Sequence, residues 1–165
     1  MKELIKWMLA GCVYAFLITP SANADTLGVH IGSYHMEKQD ITAGRPWNNV
    51  NPGVYYMWEA DEGLSILPSG RYVVGSYFNS IRKQSAYVGY VYPVTDYLDV
   101  VVGLITGYSG EAANGRRYSG YPVMPLIVPS VHFPLFDNVE ARIHVLPKAA
   151  KGGSTAVHFS IEMRF

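Results

Sequence analysis

Histidine and serine are the residues of this sequence whose side chains suit nucleophilic or acid–base chemistry. His158 and Ser160 lie two residues apart near the end of the chain, and Ser109 lies within Gly107-Tyr108-Ser109-Gly110. A serine hydroxyl becomes a nucleophile when a nearby base takes its proton, and histidine commonly does so. The segment around Ser109 lacks the complete nucleophile-elbow pattern, so we interpret it as a loop. The five histidines have no spacing typical of metal ligands, and no metal or other cofactor is expected.

The segment that positions His158 and Ser160 is 156–165, where apolar and polar residues alternate strictly. Such alternation predicts a β-strand with one apolar and one polar face. In a soluble sheet the apolar face would pack on a core, whereas in an outer-membrane barrel it would face lipid and the polar face would line the lumen. In a barrel, His158 and Ser160 therefore point into the lumen and Phe165 points away from it.

Segment 139–146 repeats this alternation and carries charged residues on its polar face. If the two strands are neighbours, four charged side chains share the lumen, namely Glu140, Arg142, Glu162 and Arg164. Opposite charges are stable inside a narrow barrel only when they are paired and hydrogen-bonded. The same pattern also fits a soluble sheet whose charges face water.

Residues 1–24 are predicted to be a secretory signal peptide. Two lysines precede a short apolar run, and Ala22-Asn23-Ala24 provides small residues at a cleavage position. The run is too short to cross a membrane as a helix. The alternative is a lipidation signal at Leu9-Ala10-Gly11-Cys12, which is disfavoured because too few apolar residues precede it. Residues 25–165 then form one domain that has no cysteine and no disulfide.

The composition excludes a nucleic-acid-binding protein and favours an aromatic-rich β protein. The 165 residues include 13 basic and 13 acidic side chains, and no basic region of the kind that binds nucleic acid. Amphipathic aromatic residues at the density of these 13 tyrosines suit the two interfacial girdles of a membrane barrel. A tyrosine-rich soluble β-sandwich is the alternative.

Eight segments have the composition and the turn boundaries of strands: 26–38, 53–60, 71–78, 85–92, 98–108, 121–133, 139–146 and 156–165. Their even number and their lengths predict an all-β protein, an eight-stranded antiparallel up-and-down transmembrane β-barrel. We expect a monomer in the bacterial outer membrane. A chain that ends on phenylalanine resembles the closing strand that the outer-membrane assembly machinery recognises. The alternative is a periplasmic β-domain.

Several short stretches, in order and at matching intervals, resemble the outer-membrane lipid A palmitoyltransferase family. They are His30 with Arg45-Pro46-Trp47, Phe78-Asn79-Ser80 with Gly89-Tyr90, the proline-interrupted segment 121–129, Leu146-Pro147 and Met163-Arg164-Phe165. That family is an eight-stranded barrel that moves an acyl chain from phospholipid to lipid A. The resemblance implies an acyltransferase whose partners are membrane phospholipid and lipid A.

By this resemblance, the residues that catalysis requires are His30, Asn79 and Ser80. His30 would serve as the base, and Ser80 would assist acyl transfer. The family has an aspartate where this sequence has Asn79. An amide cannot carry the charge that orients and stabilises an imidazolium. His35 is the alternative histidine, although its opposite parity in the strand predicts that it lies on the other face.

The resemblance also implies a set of substrate-binding residues, namely Arg45, Trp47, Gly89, Val91, Pro125 and Pro129. The loop that holds Arg45 and Trp47 is either a lid over a pocket mouth or a segment anchored at the membrane interface. Val91 stands where the family has the glycine that measures the acyl chain, so we expect a shorter acyl chain or none. The two prolines either open a sideways route from the lipid layer or mark a tolerated irregular edge.

Two other functions stay open on the sequence alone. The spacing of His158 and Ser160 resembles the catalytic strand of outer-membrane lipid A deacylases, but side chains that face the lumen do not reach lipid. A barrel without catalysis, with a structural or lipopolysaccharide-binding role, is the second alternative. Four basic residues of the predicted outer loops either meet the phosphates of lipid A or are ordinary solvated loop charges, namely Arg116, Arg117, Lys148 and Lys151.

Overall fold

The computed structural model describes residues 25–60, 70–112, 114–118, 121–148 and 153–165. The predicted signal peptide lies outside the described residues. The strands are β1 (Thr26–His35), β2 (Gln39–Asp40), β3 (Arg45–Pro46), β4 (Val50–Glu59), β5 (Arg71–Phe78), β6 (Gln84–Pro93), β7 (Leu98–Thr106), β8 (Val123–Phe136), β9 (Val139–Leu146) and β10 (Ala156–Arg164). None of the described segments forms a helix that could span a lipid bilayer.

Eight of these strands close into an antiparallel barrel in the order β1-β10-β9-β8-β7-β6-β5-β4. The first and last strands close it, with Thr26 opposite Arg164 and His35 opposite Ala156. The predicted fold class is therefore confirmed. The short strands β2 and β3 form a separate two-stranded sheet in the connection between β1 and β4.

The outer surface of the barrel is apolar around its whole circumference. Exposed aliphatic side chains occur on β1, β4, β5, β6, β7, β8 and β10, for example Val29, Val54, Val74, Val88, Val102, Ile127 and Ile161. Exposed aromatic residues lie near the two rims, with Tyr34, Phe78 and Tyr121 at one end and Tyr92, Phe136 and Phe165 at the other. Soluble proteins rarely expose apolar patches of this extent, whereas a lipid-facing barrel has an apolar band between two aromatic girdles.

The lumen is filled by side chains. Tyr55, Tyr77, Tyr87 and Val91 belong to its buried cluster. The ring of Tyr55 lies directly over Gly28, where a Cβ atom would be only 2.0 Å from the ring. The cavity beside His30 and Tyr87 has a volume of about 50 Å³, and a second cavity of about 330 Å³ lies towards the opposite end of the barrel, beside Arg71 and Asp99. An apolar cavity that binds benzene has a volume of about 150 Å³, so the cavity beside His30 is too small for an acyl chain, and the larger one is lined by charged residues.

Charged residues of the lumen are paired, as the alternation predicts. Arg142 donates hydrogen bonds to both carboxylate oxygens of Glu162, and it also donates to Asp99. Arg164 Nη2 donates to Glu140 Oε2 at 3.0 Å. Arg142 and Glu162 are 1% and 0% exposed. The predicted ion pairing of the lumen is confirmed.

The prediction for the last strand is confirmed as well. His158 and Ser160 are buried in the lumen, with exposed fractions of 5% and 2%. His158 Nε2 lies 2.8 Å from His30 Nδ1, and Ser160 Oγ accepts a hydrogen bond from the Tyr55 hydroxyl at 2.9 Å. Both side chains therefore belong to the interior network of the barrel.

Candidate active site

A β-bulge in β1 decides which histidine reaches the rim of the barrel. β1 pairs with β10 in one register up to His30 opposite Ser160 and in a shifted register from Gly32 opposite Phe159. One extra residue on β1 reverses the alternation of its side chains. His30 and His35 consequently both point inward, with exposed fractions of 5% and 8%. The prediction that parity places His35 on the other face is wrong because of this bulge.

His35 connects a serine to an asparagine. His35 Nε2 lies 2.9 Å from Ser80 Oγ, and His35 Nδ1 lies 2.8 Å from Asn49 Oδ1. An amide oxygen can only accept a hydrogen bond, so Nδ1 carries the proton and Nε2 accepts a hydrogen bond from the Ser80 hydroxyl. In this tautomer the imidazole is ready to take the serine proton, and the three residues have the geometry of a Ser–His–Asn triad.

Ser80 is presented by a tight turn between β5 and β6. The Asn79 N–H donates to the Lys83 carbonyl at 2.8 Å, and the Arg82 N–H donates to the Asn79 carbonyl at 3.0 Å. Arg82 has a φ of 63°, in the left-handed region that few non-glycine residues adopt. Ser80 is half-buried at this turn, so its hydroxyl group lies at the rim of the barrel.

Asn79 builds this turn with its side chain. Its Oδ1 accepts the N–H groups of Ile81 and Lys83 at 3.0 and 2.9 Å. Its Nδ2 donates to Ser85 Oγ and to the Gly107 carbonyl, both at 2.9 Å. The predicted catalytic position is therefore occupied by a fully buried structural residue. The orienting contact to the histidine comes from Asn49 instead.

Asn79→Asp is expected to destabilise the fold without raising any activity. A carboxylate cannot donate, so the Gly107 carbonyl would lose its donor and face an acceptor, at a cost of about 1–3 kcal/mol. The free energy of unfolding in urea, measured in lipid vesicles, tests this expectation. Asn138→Asp in the exposed turn between β8 and β9 is the control. An Asn79→Asp variant as stable as the control would contradict the structural role.

The loop before β4 is joined to the Ser80 turn by its backbone. The Asn48 N–H donates to the Ser80 carbonyl at 2.9 Å, and Arg82 Nη1 donates to the Pro46 carbonyl at 3.0 Å. The Asn49 carbonyl accepts the N–H of Ser33 from β1 at 2.9 Å. These contacts hold the loop against both the turn and β1, and they place Asn49 beside His35.

Trp47 lies over the site. Its ring stacks on the His35 imidazole, with 5.1 Å between ring centroids and 11° between ring planes. The indole contacts His35 and is only partly exposed, so the loop covers this histidine. A lid over a pocket mouth stays a prediction. Arg45, the other residue predicted from this loop, pairs with Asp40 in the β2–β3 sheet.

His30 lies deeper in the lumen and is bonded to other residues. Its Nε2 atom is 3.0 Å from the Tyr87 hydroxyl, and its Nδ1 atom is 2.8 Å from His158 Nε2. Tyr55 and Tyr77 pack beside its ring, with centroid separations of 4.7 and 5.0 Å. The structure thus brings Ser80 together with His35, and not with His30.

The remaining predicted substrate residues lie in the barrel wall. Gly89 pairs with Gly103 of β7, and Val91 is a lumen residue with 2% exposure. Pro125 and Pro129 pair with Leu104 and Val100 of β7. β8 pairs with β9 only from Ser130, which lies opposite His144. Pro125 and Pro129 precede this residue and therefore lie on the part of β8 that is not paired with β9. The sideways route stays a prediction.

The predicted loop cations have different surroundings. Lys148 Nζ donates to Glu37 Oε1 at 3.1 Å, whereas Arg116 and Arg117 are exposed on the loop after β7. Lys151 lies outside the described residues.

Segment 107–110 follows β7 as irregular structure, and the interpretation of its Ser109 as a loop residue is confirmed.

No known protein family and no curated protein matches this sequence. Among solved structures, the chain is similar to the outer membrane protein Ail of Yersinia pestis, whose backbone structure was determined in a phospholipid bilayer nanodisc. The two sequences are 11% identical, and the TM-score is 0.43. The match covers 87% of this chain and 100% of the Ail chain.

Proposed function

We propose that this protein is an outer-membrane β-barrel enzyme that transfers an acyl chain from phospholipid to lipid A. Ser80 is the nucleophile, His35 the base and Asn49 the group that orients the imidazole. The observation that carries this proposal is the hydrogen-bonded series in which His35 lies 2.9 Å from Ser80 and 2.8 Å from Asn49. The alignment of nucleophile, base and orienting group is the arrangement that activates a serine hydroxyl.

The reaction follows from the positions of these atoms. Ser80 Oγ attacks the carbonyl carbon of a phospholipid ester, and its proton moves to His35 Nε2. The ester C–O bond then breaks, and the leaving alcohol takes the proton from His35. A hydroxyl group of lipid A attacks the acylated Ser80 while His35 takes the acceptor's proton. Breaking the acyl–serine bond returns that proton to Ser80 and restores the enzyme.

The apolar surface of the barrel supports a location in the outer membrane. Its apolar band and its two rims of aromatic residues match the hydrocarbon and the interfaces of a bilayer. The triad lies at the rim opposite to Asp25 and Phe165, where the connections include the loops 36–49 and 107–122. Longer loops of such barrels face the outside. Exposed Arg116 and Arg117 at this end suit the phosphate groups of lipid A.

The packed lumen favours a short acyl chain, or a chain that stays outside the barrel wall. A cavity of about 50 Å³ beneath the rim does not hold a long hydrocarbon chain. The same observation favours a second candidate function, a barrel without catalysis whose loops bind lipopolysaccharide. The two candidates differ in the reactivity of Ser80.

A fluorophosphonate probe, which forms a covalent bond with activated serines, separates the two candidates. The folded protein in detergent micelles is expected to be labelled at Ser80, as located by peptide mass spectrometry. His35→Gln is expected to slow labelling by about 10²–10⁴-fold, the usual contribution of a general base. His30→Gln is the matched control and should label at nearly the wild-type rate. Absence of labelling in the folded wild type, or equal loss in both variants, would argue for the non-catalytic barrel.

A further inference from the structure

We infer that Trp47 is a positioning residue whose aromatic face holds the charged form of His35, in the place of the carboxylate that an aspartate-containing triad supplies. This inference rests on the proposed function, because during the reaction the imidazole becomes charged when it takes a proton from Ser80 or from the acceptor. It assigns to the loop before β4 a second electrostatic contribution, besides the hydrogen bond that Asn49 accepts from His35.

The need for such a group follows from the chemistry of Asn49. An aspartate in a serine triad fixes the tautomer of the histidine and also stabilises the imidazolium by its charge. Asn49 Oδ1 accepts a hydrogen bond from the Nδ1–H group of His35 at 2.8 Å and so fixes the tautomer of the imidazole. An amide is neutral, however, and it offers the imidazolium no opposite charge. Stabilisation of the charged state has to come from another neighbour.

Trp47 has the geometry of that neighbour. The faces of indole rings attract cations within about 6 Å of the ring centroid, and tryptophan attracts them more strongly than other aromatic residues. The Trp47 ring lies 5.1 Å from the centroid of the His35 ring and is nearly parallel to it. The imidazolium charge, which is spread over the ring, would therefore face the negative surface of the indole.

Of the charged groups around His35, Glu37 attracts the charged imidazole, but its carboxylate is already engaged by other donors. Glu37 is close in the chain, but Ser154 Oγ, Lys148 Nζ and the Thr155 N–H all donate to its carboxylate. These hydrogen bonds, first that of Ser154, lower the pKa of Glu37 to about 2. His158 of β10 also interacts electrostatically with His35 and would repel it when charged. Neither group offers His35 an unengaged negative charge.

The face of the indole, and not its N–H group, is the functional part. Trp47 Nε1 is buried and has no hydrogen-bond partner within the described part of the chain. The backbone bonds of Pro46 and Asn48 hold the loop in place instead. A phenylalanine at this position would keep an aromatic face, which attracts cations less strongly than indole, and would lose the unpaired donor. Trp47→Phe therefore separates the role of the aromatic face from that of the indole N–H group without disturbing the loop.

The test compares Trp47→Phe and Trp47→Leu with the wild type in detergent micelles. The ring resonances of His35 are followed by NMR through a pH titration, with His35→Gln to assign them. Trp47→Leu is expected to lower the pKa of His35 by about 0.4–1.5 units and to slow fluorophosphonate labelling about 2- to 30-fold. Trp47→Phe should show less than half of both effects. Heat-modifiable migration on gels verifies that each variant is folded.

Either of two results would overturn the inference. One is a His35 pKa in Trp47→Leu equal to that of the wild type. The other is an equal loss in Trp47→Phe and Trp47→Leu, which would assign the effect to the indole N–H group. The titration does not depend on catalysis. Wild-type protein that fails to label but shows the expected change in pKa would contradict the proposed function and support the contact between Trp47 and His35.

Discussion

Replacing Ser80 with alanine is expected to abolish acyl transfer to lipid A, with a loss of rate on the order of 10⁴-fold or more. The hydroxyl that would be removed lies 2.9 Å from His35 Nε2, and its loss leaves the base without a nucleophile to activate. Lipid A from cells that express the wild type should carry one additional acyl chain in mass spectra. Lipid A from cells that express Ser80→Ala should match that of cells without the protein.

The control for this experiment is Ser109→Ala, which removes a loop hydroxyl after β7 and should leave the additional chain in place. The added mass also tests the expectation for Val91, whose side chain is buried in the lumen. A chain shorter than palmitoyl is expected, and addition of a full palmitoyl chain would contradict it. Unchanged lipid A in wild-type cells, with the barrel present in the outer membrane, would exclude lipid A as the acceptor.

Arg142→Ala is expected to produce the largest loss of stability, about 3–5 kcal/mol in the free energy of unfolding. Arg142 is the central cation of the lumen, where it donates to Glu162, Asp99 and Ser130. Its removal leaves Glu162 without its ion-pair partner and Asp99 with the more distant Arg71, at 4.0 Å. Water does not solvate these two buried carboxylates as it does in the unfolded chain. Urea unfolding of the barrel in lipid vesicles, followed by tryptophan fluorescence, measures the difference.

Arg164→Ala is the matched control, because it breaks an ion pair of the same two strands near the rim. Its side chain is 40% exposed, and its bond to Glu140 is solvated, so a loss of at most about 1 kcal/mol is expected. Adding Glu162→Gln to Arg142→Ala should restore part of the stability, since one of the unpaired charges is then removed. Equal losses in Arg142→Ala and Arg164→Ala would show that the central pair does not stabilise the barrel.

The barrel fold could be predicted from local sequence patterns. Segments 71–78 and 139–146 were predicted with the same bounds as β5 and β9. Side chains of a strand point alternately to its two faces, so a single strand already shows which residues face lipid and which face the lumen. For the same reason the lumen positions of His158, Ser160, Arg142 and Glu162 followed from parity alone.

The candidate triad was decided only by the tertiary structure. The bulge that turns His35 inward arises where β1 changes register against β10, and the residues that pair there are far apart in the chain. Asn49 reaches His35 because its loop is bonded to the Ser80 turn, while Asn79 is occupied by that turn. Alternation is a property of neighbouring residues and is visible in the sequence. Register and loop contacts depend on pairing between distant segments, and closure of the barrel is what fixes them.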